Sequence, residues 1–136
     1  MKKEVVDREE AYKKSIEVLK KCVSPHGFIA SALCRGNYCN VWGRDSMICS
    51  LAALMTEDKF LIGQVKKSLH TLLRYQYKHG QIPSNVNVRK DKVSYGGTTG
   101  RVDATLWFLI GFSQYVKRTG DKKFLRRHYE KYKKAM

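Results

Sequence analysis

Two short stretches place an arginine and an aspartate near a tryptophan. Residues 41–46 read VWGRDS, and residues 94–108 read SYGGTTGRVDATLWF. In the first, Arg44 offers a fork of fixed donors beside the acceptor Asp45, the combination that neighbouring sugar hydroxyls require. Trp42 can lie against the apolar face of a pyranose ring. In the second, Arg101 and Asp103 follow a glycine-rich loop and precede Trp107 by one helical turn. A carboxyl group at a pocket rim against an aromatic wall is desolvated enough to hold a proton, as a general acid must. Glycoside hydrolysis by the usual route takes two carboxyl groups, one to protonate the leaving oxygen and one to activate water or attack. Each pair also fits a plainer role, an aspartate capping a helix start with the arginine as its ion-pair partner. For Arg44 and Asp45 local context favours that plainer role, and for Asp103 both stay open.

The remaining candidates are weaker. The chain has 12 acidic residues, and most, such as Glu9, Glu10, Glu17 and Glu130, belong to charged helix faces. Cys22, His26, Cys34 and Cys39 have no zinc-knuckle spacing, so no metal is expected. Without an apolar leader the four cysteines are expected to be reduced, in the cytoplasm, with Cys49 a small core residue. RYQYKHG at 74–80 interleaves bases and aromatics, but Tyr75 continues a helix's inner face and Lys78 and His79 suit its C-terminus. His79 also leads into a long loop and so faces the same pocket. Ser46 and Ser94 lack a triad context. Phosphate-loop, dinucleotide, HExxH and nucleophile-elbow patterns are absent, and no cofactor is expected.

These residues must be positioned by helices. The spacing of Ala11, Ile16, Leu19 and Val23 predicts an amphipathic helix over 7–22, ended by Ser24-Pro25-His26-Gly27. Residues 28–43 read as an irregular connection with room for a brief strand. SMICSLAALM predicts a second helix from Asp45 or Ser46 to Leu54, apolar nearly all round and so expected to be buried on every side. Phe60, Ile62, Val65, Leu69, Leu72 and Leu73 mark a third over 58–77. A fourth covers 102–118, with Ala104, Trp107, Phe108, Gly111, Phe112 and Tyr115 inward. Thr119-Gly120-Asp121 closes it and caps a fifth over 122–135, with Phe124, Leu125, His128, Tyr129 and Tyr132 on one side. Residues 78–101 form a loop long enough to suggest function. The class is all-α, built of helical hairpins, with no strand pairing required.

At 136 residues the chain is the size of one domain, and 43% hydrophobic residues supply a core. No stretch is long and apolar enough to span a bilayer. The net charge of +15 attracts anions, but the lysines are spread along helix faces, so nucleic acid is an unlikely partner.

Several segments together carry a resemblance: GFIAS, NYCNVWGRDSMICSLAAL, HGQIPSNV and VSYGGTTGRVDATLWFLIGFSQYVKRTGDKKFL. They resemble the amino-terminal part of a six-hairpin glycosidase catalytic domain, nearest to proteins described as amylo-α-1,6-glucosidase or glycogen-debranching enzyme. Glucoamylases and neutral invertases are more distant relatives. The resemblance implies an (α/α)6 toroid hydrolysing α-glucan or oligosaccharide with inversion, of which residues 1–136 form a single partial domain. It assigns Trp42, Arg44 and Asp45 to sugar binding and Asp103 to the general acid. Trp107 becomes a pocket wall, with Arg101, His79, Asn85 and Tyr95 around the substrate. The base of such enzymes lies in later hairpins, so a second chain supplying them is a candidate partner, and little hydrolysis is expected from this chain alone. The alternatives are a non-catalytic carbohydrate-binding remnant and, behind it, a basic nucleic-acid-binding helical domain.

Overall fold

The computed structural model describes residues 7–97 and 102–136. Five helices carry the fold: α1 (Arg8–Lys21), α2 (Gly43–Leu54), α3 (Lys59–Arg74), α4 (Val102–Thr119) and α5 (Lys122–Ala135). The chain is mostly α, as the periodicity predicts. α2 and α3 form one hairpin and α4 and α5 the next. Both turns use the same device. Thr56 Oγ1 accepts from the Asp58 N–H (3.2 Å) and Asp58 caps α3; Thr119 Oγ1 accepts from the Asp121 N–H (3.3 Å) and Asp121 caps α5. Gly120, at φ 66°, supplies the left-handed residue that ends α4.

Contacts along their lengths fix how the hairpins stack. Gly43 abuts Ala104, Met47 abuts Gly111, and Arg118 Nε donates to the Leu54 carbonyl (3.2 Å). Low numbers on α2 thus meet low numbers on α4, and the two run in the same direction. The same holds for α3 and α5: Lys66 pairs with Asp121, His70 with Phe124, and Lys131 Nζ reaches the Leu73 carbonyl. The result is a layer of α2 and α4 beside a layer of α3 and α5, with both helix starts of the first layer at one end. Leu61, Val65, Leu69, Leu72, Met47, Phe108 and Phe112 are buried between the layers, each large side chain contributing about 1.5–3 kcal/mol of transfer free energy.

Short strands pair although the helical class requires no pairing, and one of them, at Val41–Trp42, falls in the 28–43 connection that had room for a brief strand. β1 (Val23–Ser24) and β2 (Gly27–Phe28) make a two-stranded hairpin. The Phe28 N–H donates to Ser68 Oγ (2.9 Å) and Thr71 Oγ1 donates to the His26 carbonyl (2.7 Å), which docks it on α3. β3 (Val41–Trp42), β4 (Asn85–Asn87) and β5 (Lys92–Ser94) form an antiparallel sheet in which Val86 opposes both Val41 and Val93. Cross-strand packing of β-branched valines explains the pairing. Much of the segment read as a long loop is therefore a hairpin, closed by Asp91 at φ 48° and by Asn87 Oδ1, which accepts from the Lys90 N–H.

Three further expectations are corrected. α2 is not buried on every side, since Ile48 is 45% exposed and Met55, just past its end, 80%. Tyr129, expected on the inner side of α5, is exposed; only Phe124 of that helix is fully buried. Cys34 and Cys39, expected as thiols, are joined by a disulfide. Arg35 and the short helical turn at Gly36–Cys39 fold the chain back and bring their Cα atoms to 4.4 Å. Cys22 and Cys49 are free. Burial pushes the Cys49 thiol up to about 11, in keeping with a packing role.

Candidate active site

Gly43 is the first residue of α2, so Arg44 and Asp45 both lie in its first turn and Asp45 is not the cap expected of it. That position belongs to Trp42, whose backbone is extended and whose side chain makes no cap bond. Asp103 likewise lies inside the first turn of α4. The peptide dipoles of two parallel helices therefore place partial positive charge near both carboxylates. Close packing here requires a glycine: a Cβ on Gly43 would meet the Pro83 carbonyl at 2.6 Å and the Ala104 Cβ at 2.8 Å. The 82–84 segment is held across both helix starts by two bonds, the Gly43 N–H to the Ser84 carbonyl (2.9 Å) and the Ile82 N–H to Thr105 Oγ1 (3.1 Å).

Arg44 spans the gap between the helices. Its Nη1 lies 2.9 Å from Asp103 Oδ2, and its Nε lies 3.6 Å from Asp45 Oδ1. The three side chains remain 39–48% exposed, so all are open to a ligand. The two stretches separated in sequence are thus one cluster, an arginine with a carboxylate on either side. The Arg44 guanidinium lies beside Asp103. Trp107, one turn further along α4, is half-buried and packs against the core on the inward side its spacing predicts.

The other expected residues occupy two adjoining places. Trp42 pairs with Asn85 across β3 and β4. The Trp42 Nε1–H donates to the Asn37 carbonyl (3.0 Å), and Asn40 Nδ2 donates to Asn85 Oδ1 (2.9 Å). Asn40 is 6% exposed, and its own Oδ1 has no partner among the described residues. These amides line a cleft of about 450 Å³ with Asn87, Lys90 and Ser94. His79 and Tyr95 gather around Tyr77, with ring centroids 5.5 and 5.3 Å from it. The Tyr95 hydroxyl donates to the Tyr75 carbonyl (2.7 Å). Arg101 lies outside the described residues.

Sequence reasoning missed Asn37, Asn40 and Gly43. The signal was the asparagine density on both sides of the site, NYCN before VWGRD and NVN after the loop's proline. Read as loop polarity, those residues gave no hint that they would face one another across a sheet.

A family model described as amylo-alpha-1,6-glucosidase matches residues 15–136. The chain belongs to this family. The match runs through both hairpins, the sheet and every residue of the Arg44 cluster. Comparison with curated proteins and with solved structures finds no match. For this member of the amylo-alpha-1,6-glucosidase family, the stacked parallel hairpins are the fold expected of a helical toroid, and the cluster lies where the first-layer helices begin. Among the described residues no group of histidines, cysteines and carboxylates could hold a metal, and no helix is long and apolar enough to cross a membrane.

Proposed function

We propose that the Arg44 cluster is the sugar-binding and proton-donating part of an α-glucan hydrolase site that works with inversion. Arg44 and Asp45 engage adjacent hydroxyls of the terminal glucose, Trp42 lies beside its ring, and Asp103 protonates the leaving oxygen. The observation that supports this most is the bridge itself, one guanidinium held between two exposed carboxylates at the starts of two parallel helices. Sugar hydroxyls arriving at Arg44 replace its contact with Asp103 and free that carboxyl for chemistry. The base comes from further hairpins, in this protein or in a partner chain. The apolar side chains exposed on α2 and α4 support such a covering partner.

Titration with maltooligosaccharides tests the binding step. Tryptophan fluorescence should change saturably, and Asp45→Ala should abolish the change; a folded protein with no response at millimolar sugar would overturn the reading. A second reading, carbohydrate binding without chemistry, draws support from the bond between Arg44 and Asp103 Oδ2. Adding the remaining hairpins of the family's toroid separates the two, because only a catalytic Asp103 yields hydrolysis that Asp103→Asn removes.

A further inference from the structure

A cleft of about 440 Å³ opens between the end of α1, the β1–β2 hairpin and the helical turn at Val88–Lys90. Its floor includes Val41 and Val86, which oppose each other on β3 and β4. Side chains alternate across a sheet, so Trp42 and Asn85 point to the other face, and the asparagine cleft on that side adjoins this one at Gly36, Asn87 and Lys90. Lys21, His26, Arg89 and Lys90 line it, and no aspartate or glutamate does.

The cations of this cleft are available. Among the described residues the salt bridges use Lys14, Lys20, Arg44, Lys66 and Lys133, and none uses Lys21, Arg89 or Lys90. The acid next in sequence, Asp91, is engaged by the Tyr75 hydroxyl. An apolar floor beneath several unpaired cations has a definite chemical complement: an anion with several acceptor oxygens, carried on a small body. Arginine and lysine side chains suit phosphate in particular, through charge-assisted hydrogen bonds. The volume is that of a small-molecule site.

We propose that this cleft is a second ligand site that takes a phosphate monoester carried by a sugar or a nucleoside. Its cations line one cleft, unlike the lysines spread along α5. The site is independent of the Arg44 cluster and of the hydrolase reading.

The test is an amide chemical-shift titration of the full 136-residue chain at low salt. The probes are inorganic phosphate, a hexose phosphate, a nucleoside monophosphate, unphosphorylated glucose and a single-stranded oligonucleotide. Saturable shifts centred on 23–26 and 88–90 are expected from at least one of the two esters, with none there from glucose. The tighter ester identifies the body, and inorganic phosphate binding as tightly as both would overturn the need for one. Arg89→Glu with Lys90→Glu, both exposed and so compatible with folding, should weaken the ester at least about tenfold, while Asp45→Ala leaves it unchanged. Silence from both esters would refute the proposal. So would shifts spread evenly over the lysines of α5, indifference to the double variant, or capture of the oligonucleotide alone with a steep salt dependence.

Discussion

Arg44 reaches two carboxylates while leaving about half of its own side chain, 48%, in solvent. Ion pairs this exposed are worth about 0–1 kcal/mol. Arg44→Ala should therefore lower the urea-unfolding free energy by less than about 1 kcal/mol while abolishing the saccharide response. A larger stability loss with the sugar response intact would make the arginine structural. Glycines near the site differ in what surrounds them. At Gly43 a methyl group would meet the Pro83 carbonyl and Ala104, neither able to swing aside. Gly43→Ala is expected to cost about 1–3 kcal/mol, as overpacking does. At Gly111 the obstacle is the flexible end of Met47, so Gly111→Ala should cost less, and paired denaturation curves compare the two. The fixed neighbours of Gly43 were not visible in GRD, because they come from residues 83 and 104. The role of Asp121 was legible in TGDKKFL, because a cap is a local device.

At the scale of elements, Asp121 ties α5 to two other helices. Its carboxylate accepts from the Phe124 N–H (2.9 Å), Lys66 Nζ (2.7 Å) and the Tyr115 hydroxyl (2.9 Å). The Lys66 bond first, then the Phe124 N–H, holds its carboxyl down from the ordinary 3.8 to about 2. A depressed carboxyl stabilises the fold above its unfolded value, and that contribution disappears as pH falls from 3.8 towards about 2. Asp121→Ala should cost about 0.5–2 kcal/mol at neutral pH through the cap and remove that acid-range loss, as unfolding at stepped pH would show. His128 acts at milder acidity. Burial first, then the positive charge of His70, Lys131, Arg127 and Lys66, lowers its ring from 6.5 to about 4. The neutral ring belongs to the folded state, so its contribution is complete above pH 6.5 and declines as pH drops towards about 4. Thermal melts between those limits should show a falling midpoint in the parent chain and a flatter one in His128→Phe. A variant with an unchanged slope would assign the acid sensitivity elsewhere.

For the molecule as a whole, α2 and α4 carry apolar side chains on both sides of their layer. One side is the core. On the other, Val102, Leu106 and Ile110 recur every fourth residue of α4 at 72%, 55% and 45% exposure, and Ile48 and Met55 are open on or just past α2. Side chains of this kind in water favour association. Leu106→Lys with Ile110→Lys should reduce self-association in sedimentation measurements and lower binding of a hydrophobic dye, without loss of helix. Equal behaviour of parent and variant would show that these side chains drive no contact.

The sequence alone determined the helices, the caps of α3 and α5 and the family, since apolar periodicity and Thr-x-Asp turns act over a few residues and the motifs stand in order along the chain. It also singled out Arg44, Asp45 and Asp103 by type. Only the tertiary structure decided that Arg44 crosses to Asp103, that Asn40 meets Asn85, and that Cys34 bonds Cys39. The first two arise from contacts 59 and 45 residues apart in sequence, set by the parallel stacking of two hairpins and the pairing of three short strands. No local spacing encodes a distance between residues that meet only because separate elements bury their apolar faces together.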